Sequence, residues 1–293
     1  MRHRLVAAVS AALILVASVF SPAAASTQPF EFGLYDQAMS HLQWDTDGMP
    51  APQIAVGYYA WGEGFQAGFA QTTYSHGAEP FVELGSWQCT WLCPDGQPTL
   101  AKITSGEYDQ PYLIPFAKAI AAYGYPVLIT FDHEMNGCCW YPWQTNYGQR
   151  GANPPASYVA AWQHVYNVIH PLAPNAMWVW APNSVQPGSG PVAAYWPGVA
   201  YVDQWGVDSY LTAPGDTYAA QTAPTVAAIR ELTSAPGFLA ETGIEPEPGR
   251  PAAVKALARA ARADGLTGLV WFDEGGSFLH RPGRAAMAEA LRS

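Results

Sequence analysis

The sequence predicts an α/β fold in which eight parallel strands close into a single-domain (β/α)8 TIM barrel. Three observations lead there. Eight short apolar, β-branched or aromatic runs recur along the 293 residues. Several are continuously apolar, such as Val127-Leu128-Ile129 and Leu269-Val270-Trp271, the pattern of strands covered on both faces of a parallel sheet. Helical patterns lie between them, and strand–helix alternation over about 250 residues is the size of an eight-fold barrel.

The runs place strands at 30–35, 54–59, 80–84, 126–131, 176–180, 202–207, 237–240 and 266–272. A helix over 112–123 follows Pro111 and stops at Gly124. A longer one over 155–172 opens on prolines and lines up Tyr158, Ala161, Trp162, Val165, Val168 and Ile169 on one face. Helices over 222–232, 252–263 and 284–291 complete the set, the second of these closing at Asp264-Gly265. The first two connections carry weak helical patterns and are expected to be short or irregular. A doubly wound open sheet would want a Gly-rich turn after the first strand. Neither the residues after Tyr35 nor the glycines at 62, 64 and 68 have the dinucleotide spacing.

Composition narrows the function. Charged residues are 12% of the chain, about half the usual ~25%. With a net charge of −10 and no basic run, the chain has nothing to neutralise phosphates, so no nucleic-acid partner is expected. Twelve Trp and 16 Tyr exceed what one core needs, and some should face a ligand. Residues 1–25 read as a secretory signal peptide: Arg2 and Arg4, an apolar run over 5–20, then Ala23-Ala24-Ala25. The run falls short of the ~20 residues a bilayer needs, so the expected product is a secreted, extracellular domain over 26–293, without a membrane span and monomeric. Four cysteines then sit in an oxidising compartment. Cys89, Cys93, Cys138 and Cys139 lack zinc-ligand spacing. Cross-links between the two loops are favoured, or a Cys89–Cys93 bridge with the other pair free or vicinal. No metal or cofactor is expected.

In a TIM barrel the chemistry sits at the C-terminal ends of strands. The residues there are Tyr58, Tyr59 and Trp61 after the second run, Glu83 and Trp87 at the third, and Asp132, His133 and Glu134 after the fourth. Asp208 and Tyr210 follow the sixth, Glu241 the seventh, and Trp271, Asp273 and Glu274 the eighth. Glu134 and Glu241 thus reach one rim from different strands. Two carboxyl groups beside aromatic platforms suit glycosidic bond cleavage, in which one protonates the leaving oxygen and the other attacks or stabilises the anomeric carbon. With few Lys and Arg, a salt-bridge explanation for either is weak. Tyr58, Trp61, Trp87, Trp271 and Asp273 are read as substrate-contacting, Trp271 as a platform at the mouth. Glu83, inside its strand, reads as a buried hydrogen-bonded carboxylate, and Asp132 should point away from Glu134 by alternation.

Residues 133–143, HEMNGCCWYPW, closely resemble the acid/base motif of glycoside hydrolase family 26, which includes β-mannanases, mixed-linkage β-glucanases and β-1,3-xylanases. The likeness continues through YVAAWQHVYNVI with MWVWAPN, YWPGVAYVDQWGVDSY, FLAETG and GLVWFDE. It implies a retaining enzyme with Glu134 as general acid/base, Glu241 as nucleophile, and His133, Trp140 and Tyr210 lining the subsite beside the scissile bond. β-1,4-Mannan is the expected polysaccharide, with mixed-linkage glucan and β-1,3-xylan as alternatives. Two departures stand out. Two residues, Cys138 and Cys139, separate Gly137 from Trp140 where many members have one, and Thr130 stands where many have Arg four residues before the acid/base. The charge network around the carboxylates must therefore differ. A non-catalytic carbohydrate-binding barrel would keep the aromatics and could lose a carboxylate. A metal-dependent deacetylase would want a His/Asp ligand cluster, which the spacing does not show.

Overall fold

A computed structural model describes residues 29–40, 42–44, 46, 48–88, 97–145, 153–245, 250–274 and 279–292. Eight strands close into a barrel in sequence order, each parallel to the next and β8 parallel to β1. They are β1 Glu31–Tyr35, β2 Ile54–Ala60, β3 Glu79–Gly85, β4 Val127–Phe131, β5 Ala176–Trp180, β6 Gln204–Leu211, β7 Gly237–Ile244 and β8 Gly268–Phe272. The apolar runs locate all eight. β6 and β7 continue beyond their runs, so Asp208, Tyr210 and Glu241 lie within strands rather than after them.

The helices are α1 Gln37–Ser40, α2 Ala67–Ser75, α3 Leu100–Thr104, α4 Ile114–Tyr123, α5 Pro155–Ile169, α6 Tyr218–Gln221, α7 Ala223–Arg230, α8 Arg250–Ala263 and α9 Arg281–Arg292. The predicted helix at 112–123 starts instead with a π-helical turn, Asp109–Leu113. Pro111 and Pro115 lack N–H groups, which interrupts regular i→i−4 bonding, and Leu113 N–H reaches back to Tyr108 O at 3.0 Å. α4 ends where Gly124 takes φ +81°, a left-handed cap that glycine adopts without strain. α5 buries Tyr158, Ala161, Trp162, Val165 and Ile169 against the barrel.

The strands divide two cores. Ile54, Val56, Phe81, Leu128, Val179, Phe238 and Val270 fill the barrel lumen. The alternate positions, among them Leu34, Val82, Phe131, Trp178, Trp180 and Leu269, face the helices in the larger outer cluster. Trp162, Trp178, Trp180, Trp205 and Trp271 are fully buried there, so much of the tryptophan surplus is outer core rather than ligand surface.

Strand 7 breaks the alternation. Phe238 and Ala240 point into the lumen, and strict period two would turn Glu241 outward. Against β6 the pairing runs from Gly206↔Phe238 to Asp208↔Glu241, and against β8 from Leu239↔Leu269 to Thr242↔Trp271. Both neighbours therefore meet one extra residue in β7. This β-bulge shifts the phase so that Glu241 joins Asp208 and Tyr210 at the mouth.

No described helix is long and apolar enough to cross a membrane. The signal segment at 1–25, Cys89 and Cys93 lie outside the described residues.

Candidate active site

The chain after β4 is held by its own polar groups. Asp132 and Glu134 take φ +51° and +53°, a left-handed conformation that costs a non-glycine residue ~1–2 kcal/mol. Bonds on both sides offset it. Asp132 N donates to Leu84 O and Glu134 N to Ala181 O, while the Asp132 carboxylate accepts from Ser86 N at 2.6 Å and Ser86 Oγ at 2.8 Å. Asp132 is thereby spent on β3 and faces away from the mouth. Asn136 and Asn183 exchange side chain–backbone bonds, 2.8 Å each way, tying this loop to the end of β5. Gln144 closes the turn, donating to Glu134 O and accepting from the N–H groups of Trp140 and Tyr141.

This frame presents Glu134, buried, with Asn183 Nδ2 donating to Oε1 at 2.5 Å and Trp140 Nε1 donating to Oε2. Burial first, then the Glu241 charge, pushes its carboxyl up to about 8, against the two donors. Trp140 reaches Glu134 despite the additional residue in its loop, and remains 39% exposed.

Across the mouth, Glu241 accepts from Tyr58 O–H at 2.5 Å on Oε1 and Tyr210 O–H at 2.8 Å on Oε2. Burial, then the Glu241 charge, raises both phenols well above their ordinary range, which keeps them protonated as donors. Carboxylate oxygens of Glu134, Asp208 and Glu241 lie within 4.8 Å of one another. The Asp208 carboxyl is raised by burial and by its three acidic neighbours, Glu241 foremost.

His133 packs beside them, its Nε2 3.1 Å from Tyr141 Oη and 3.8 Å from Glu241 Oε1. Its Nδ1 is 3.1 Å from Glu83 Oε2, without the alignment of a full hydrogen bond. Burial lowers the imidazole pKa, so His133 is neutral at neutral pH. A cleft of about 360 Å³ opens on this side, lined by Tyr58, Glu83, Trp87, His133, Tyr141 and Trp143. Tyr141 and Trp143 stack at 4.5 Å, and Phe272 of β8 meets Tyr35, Tyr58 and Tyr210 edge-on or stacked.

Three sequence readings are corrected and one choice between alternatives is decided. Trp271 is a core residue: β8 turns Val270 and Phe272 inward and Trp271 toward the helices, so Phe272 supplies the aromatic at the mouth. Trp61 follows the outward phase of Tyr59 and packs against Tyr108, Tyr112 and Phe131 under the helical layer. Asp273 is buried and accepts from Leu279 N at 2.7 Å, bridging the end of β8 toward α9 instead of meeting a ligand. Cys138 is bonded to Cys139, the vicinal pairing that the sequence left open beside the favoured cross-link between loops. Besides Phe272, Tyr141 and Trp143, three polar residues absent from the predicted site enter it: Glu83, Asp208 and Asn183. Glu83 and Asp208 were visible as acids at the ends of the third and sixth runs, whereas Asn183 lies three residues beyond β5, where no sequence signal marked it.

Among the described residues, two sets have donors close enough for a cation, Glu83/His133/Glu241 and Glu134/Asp208/Glu241. Both share Glu241, whose oxygens already receive O–H hydrogens from two tyrosines. Such a lining favours a protonated or hydroxyl-bearing guest over a metal ion.

A parallel barrel that presents two opposed carboxyl groups beside aromatic rings at its C-terminal mouth has the architecture of a glycoside hydrolase. The profile of glycosyl hydrolase family 26 matches residues 59–249, and the chain belongs to that family. No curated protein matches the chain in sequence. Among solved structures, the YdhT protein from Bacillus subtilis superposes with a TM-score of 0.65 at 19% identity, over 91% of this chain and 85% of that one. The Bacillus subtilis mannanase BCman gives 0.63 at 19% identity over 91% and 85%. The GH26 β-mannanase BoMan26A from Bacteroides ovatus gives 0.62 at 15% identity over 91% and 89%.

Proposed function

We propose that this glycoside hydrolase is a secreted, monomeric, retaining endo-β-glycanase whose preferred substrate is β-1,4-mannan. The observation that carries the reading is the separation of the two carboxyl groups, within 4.8 Å at their nearest oxygens. Retaining pairs stand ~5–5.5 Å apart, whereas inverting pairs need ~6.5–9.5 Å to admit a water.

The environments divide the roles. Glu134, raised to about 8, is protonated at neutral pH and donates to the leaving glycosidic oxygen. Glu241, with two O–H donors on its oxygens, attacks the anomeric carbon as a carboxylate. The C–O bond to the leaving group breaks as the ester bond to Glu241 forms. Esterification removes the charge that helped raise Glu134. The ionised Glu134, now favoured, takes a proton from water, and the hydroxide so generated displaces Glu241 from the sugar. Both oxygens of Glu134 keep an N–H donor for that ionised state.

Mannan is favoured by the family and by relatives named as mannanases. The basic-then-apolar N-terminus supports secretion. The test is reducing-sugar release from galactomannan, glucomannan, barley β-glucan and β-1,3-xylan, with Glu134→Ala as control. Release from the mannans is expected. Release from β-glucan or xylan alone would move the substrate, and release from none would overturn the reading.

A further inference from the structure

Glu83 lies on β3 and faces the lumen, with Tyr58 of β2 and Thr130 of β4 as its register partners. It is 1% exposed. A carboxyl oxygen comes within 4.8 Å of both His133 and Glu241, and both oxygens of Glu83 are buried without a hydrogen-bond partner. Two buried carboxyl groups this close do not both ionise readily, because each charge opposes the other. Counting donors says which one stays neutral. Glu241 accepts from Tyr58 and Tyr210. Neither oxygen of Glu83 has an aligned donor. Of the two, Glu83 is therefore the one whose ionised form no donor stabilises, and Glu241 is the acceptor within reach.

The surroundings agree. The groups that face this pair are Tyr35 of β1, Tyr58 of β2, His133, Glu134 and Tyr141 after β4, and Asp208 and Tyr210 of β6. Among the described residues, no Lys or Arg is among the groups that shift Glu83, Glu134 or Asp208. Burial foremost, then the Glu241 charge, holds the Glu83 carboxyl well above the carboxylate range.

We infer that Glu83 is a positioning residue for the proposed reaction: a neutral carboxylic acid whose O–H donates to Glu241 and, with Tyr58 and Tyr210, aims it. The inference rests on the catalytic reading above, and the experiment separates the two. The probes are the 2,4-dinitrophenyl 2-deoxy-2-fluoro-β-glycosides of mannobiose and cellobiose, which trap a glycosyl ester on the nucleophile. Dinitrophenolate leaves without a proton, so Glu134 drops out and the labelling rate reports on Glu241 and its donors.

Labelling is followed by mass spectrometry across neutral to alkaline pH in wild type, Glu83→Gln and Glu83→Leu, with circular dichroism checking the fold. Glu83→Gln keeps a neutral donor and is expected to label at a rate close to wild type. Glu83→Leu is expected to label about 10- to 100-fold more slowly, the loss of one hydrogen bond to a charged group. Wild-type labelling should also slow as pH rises and Glu83 ionises, and Glu83→Gln should lack that decline. Label on Glu241 at equal rates in all three proteins would overturn the assignment of Glu83 alone. Equal slowing of both variants would reduce Glu83 to a structural role and overturn it too. No label on Glu241 in wild type would overturn the catalytic reading and this inference with it.

Discussion

Replacing Asn183 by Ala should move the alkaline limb of the activity profile upward. Asn183 Nδ2 donates to Glu134 Oε1 at 2.5 Å, while its backbone N–H and C=O carry the bonds to Asn136. The substitution deletes the donor and leaves the loop clamp in place. A hydrogen bond to a charged group contributes ~1.5–3 kcal/mol. Trp140 still donates to Oε2, so the lower end applies, about one pH unit at ~1.4 kcal/mol. The sign follows from what is lost. Asn183 favours the ionised form, and without it Glu134 holds its proton to higher pH. Activity needs that proton in the first step and falls as pH rises through the Glu134 pKa, about 8 in the intact site. The assay is kcat/KM for an aryl β-mannobioside with a poor leaving group, measured across neutral to alkaline pH. An alkaline limb that stays in place or moves down would refute the balance of burial against donors proposed for Glu134.

Other outcomes follow from the same geometry. Glu134→Ala should lose ~10²–10⁴-fold activity on mannan and recover most of the first step with a dinitrophenyl glycoside, read by comparing the two substrates. Trp271→Ala should destabilise the fold by ~3–5 kcal/mol in urea unfolding with little change in KM. Phe272→Ala should raise KM, because that ring faces Tyr58 and Tyr210. The Glu134 carboxyl rises from 4.5 to about 8 on folding. Its contribution to stability is therefore complete below its unfolded pKa and lost as pH rises through its folded one. Tm should fall across that window, and Glu134→Gln should flatten the fall, as differential scanning calorimetry would detect.

The barrel was legible because strand burial on two faces needs continuous apolar runs, and there are eight of them. The two glutamates were legible because a strand end is where a carboxyl group can leave such a run. Face was not. Trp61 and Trp271 sit one residue out of phase with the lumen, and in a strand one residue reverses the side. The same rule applied to Phe238 and Ala240 would have turned Glu241 outward, and it reaches the mouth through an extra residue in β7 that no composition signals. The cysteines had the same difficulty, since their pairing depends on loop approach rather than spacing.

By itself, then, the chain determined the order of its strands, the rim that carries chemistry and the residues HEMNG and ETG that carry its resemblance. Only the tertiary structure decided that Glu83, Asp208 and Asn183 join them. Periodicity is local and survives in one dimension. A carboxyl group's protonation, by contrast, is set by which other strands bring a donor, a charge or an apolar wall within a few ångströms, and that exists only once the barrel has closed.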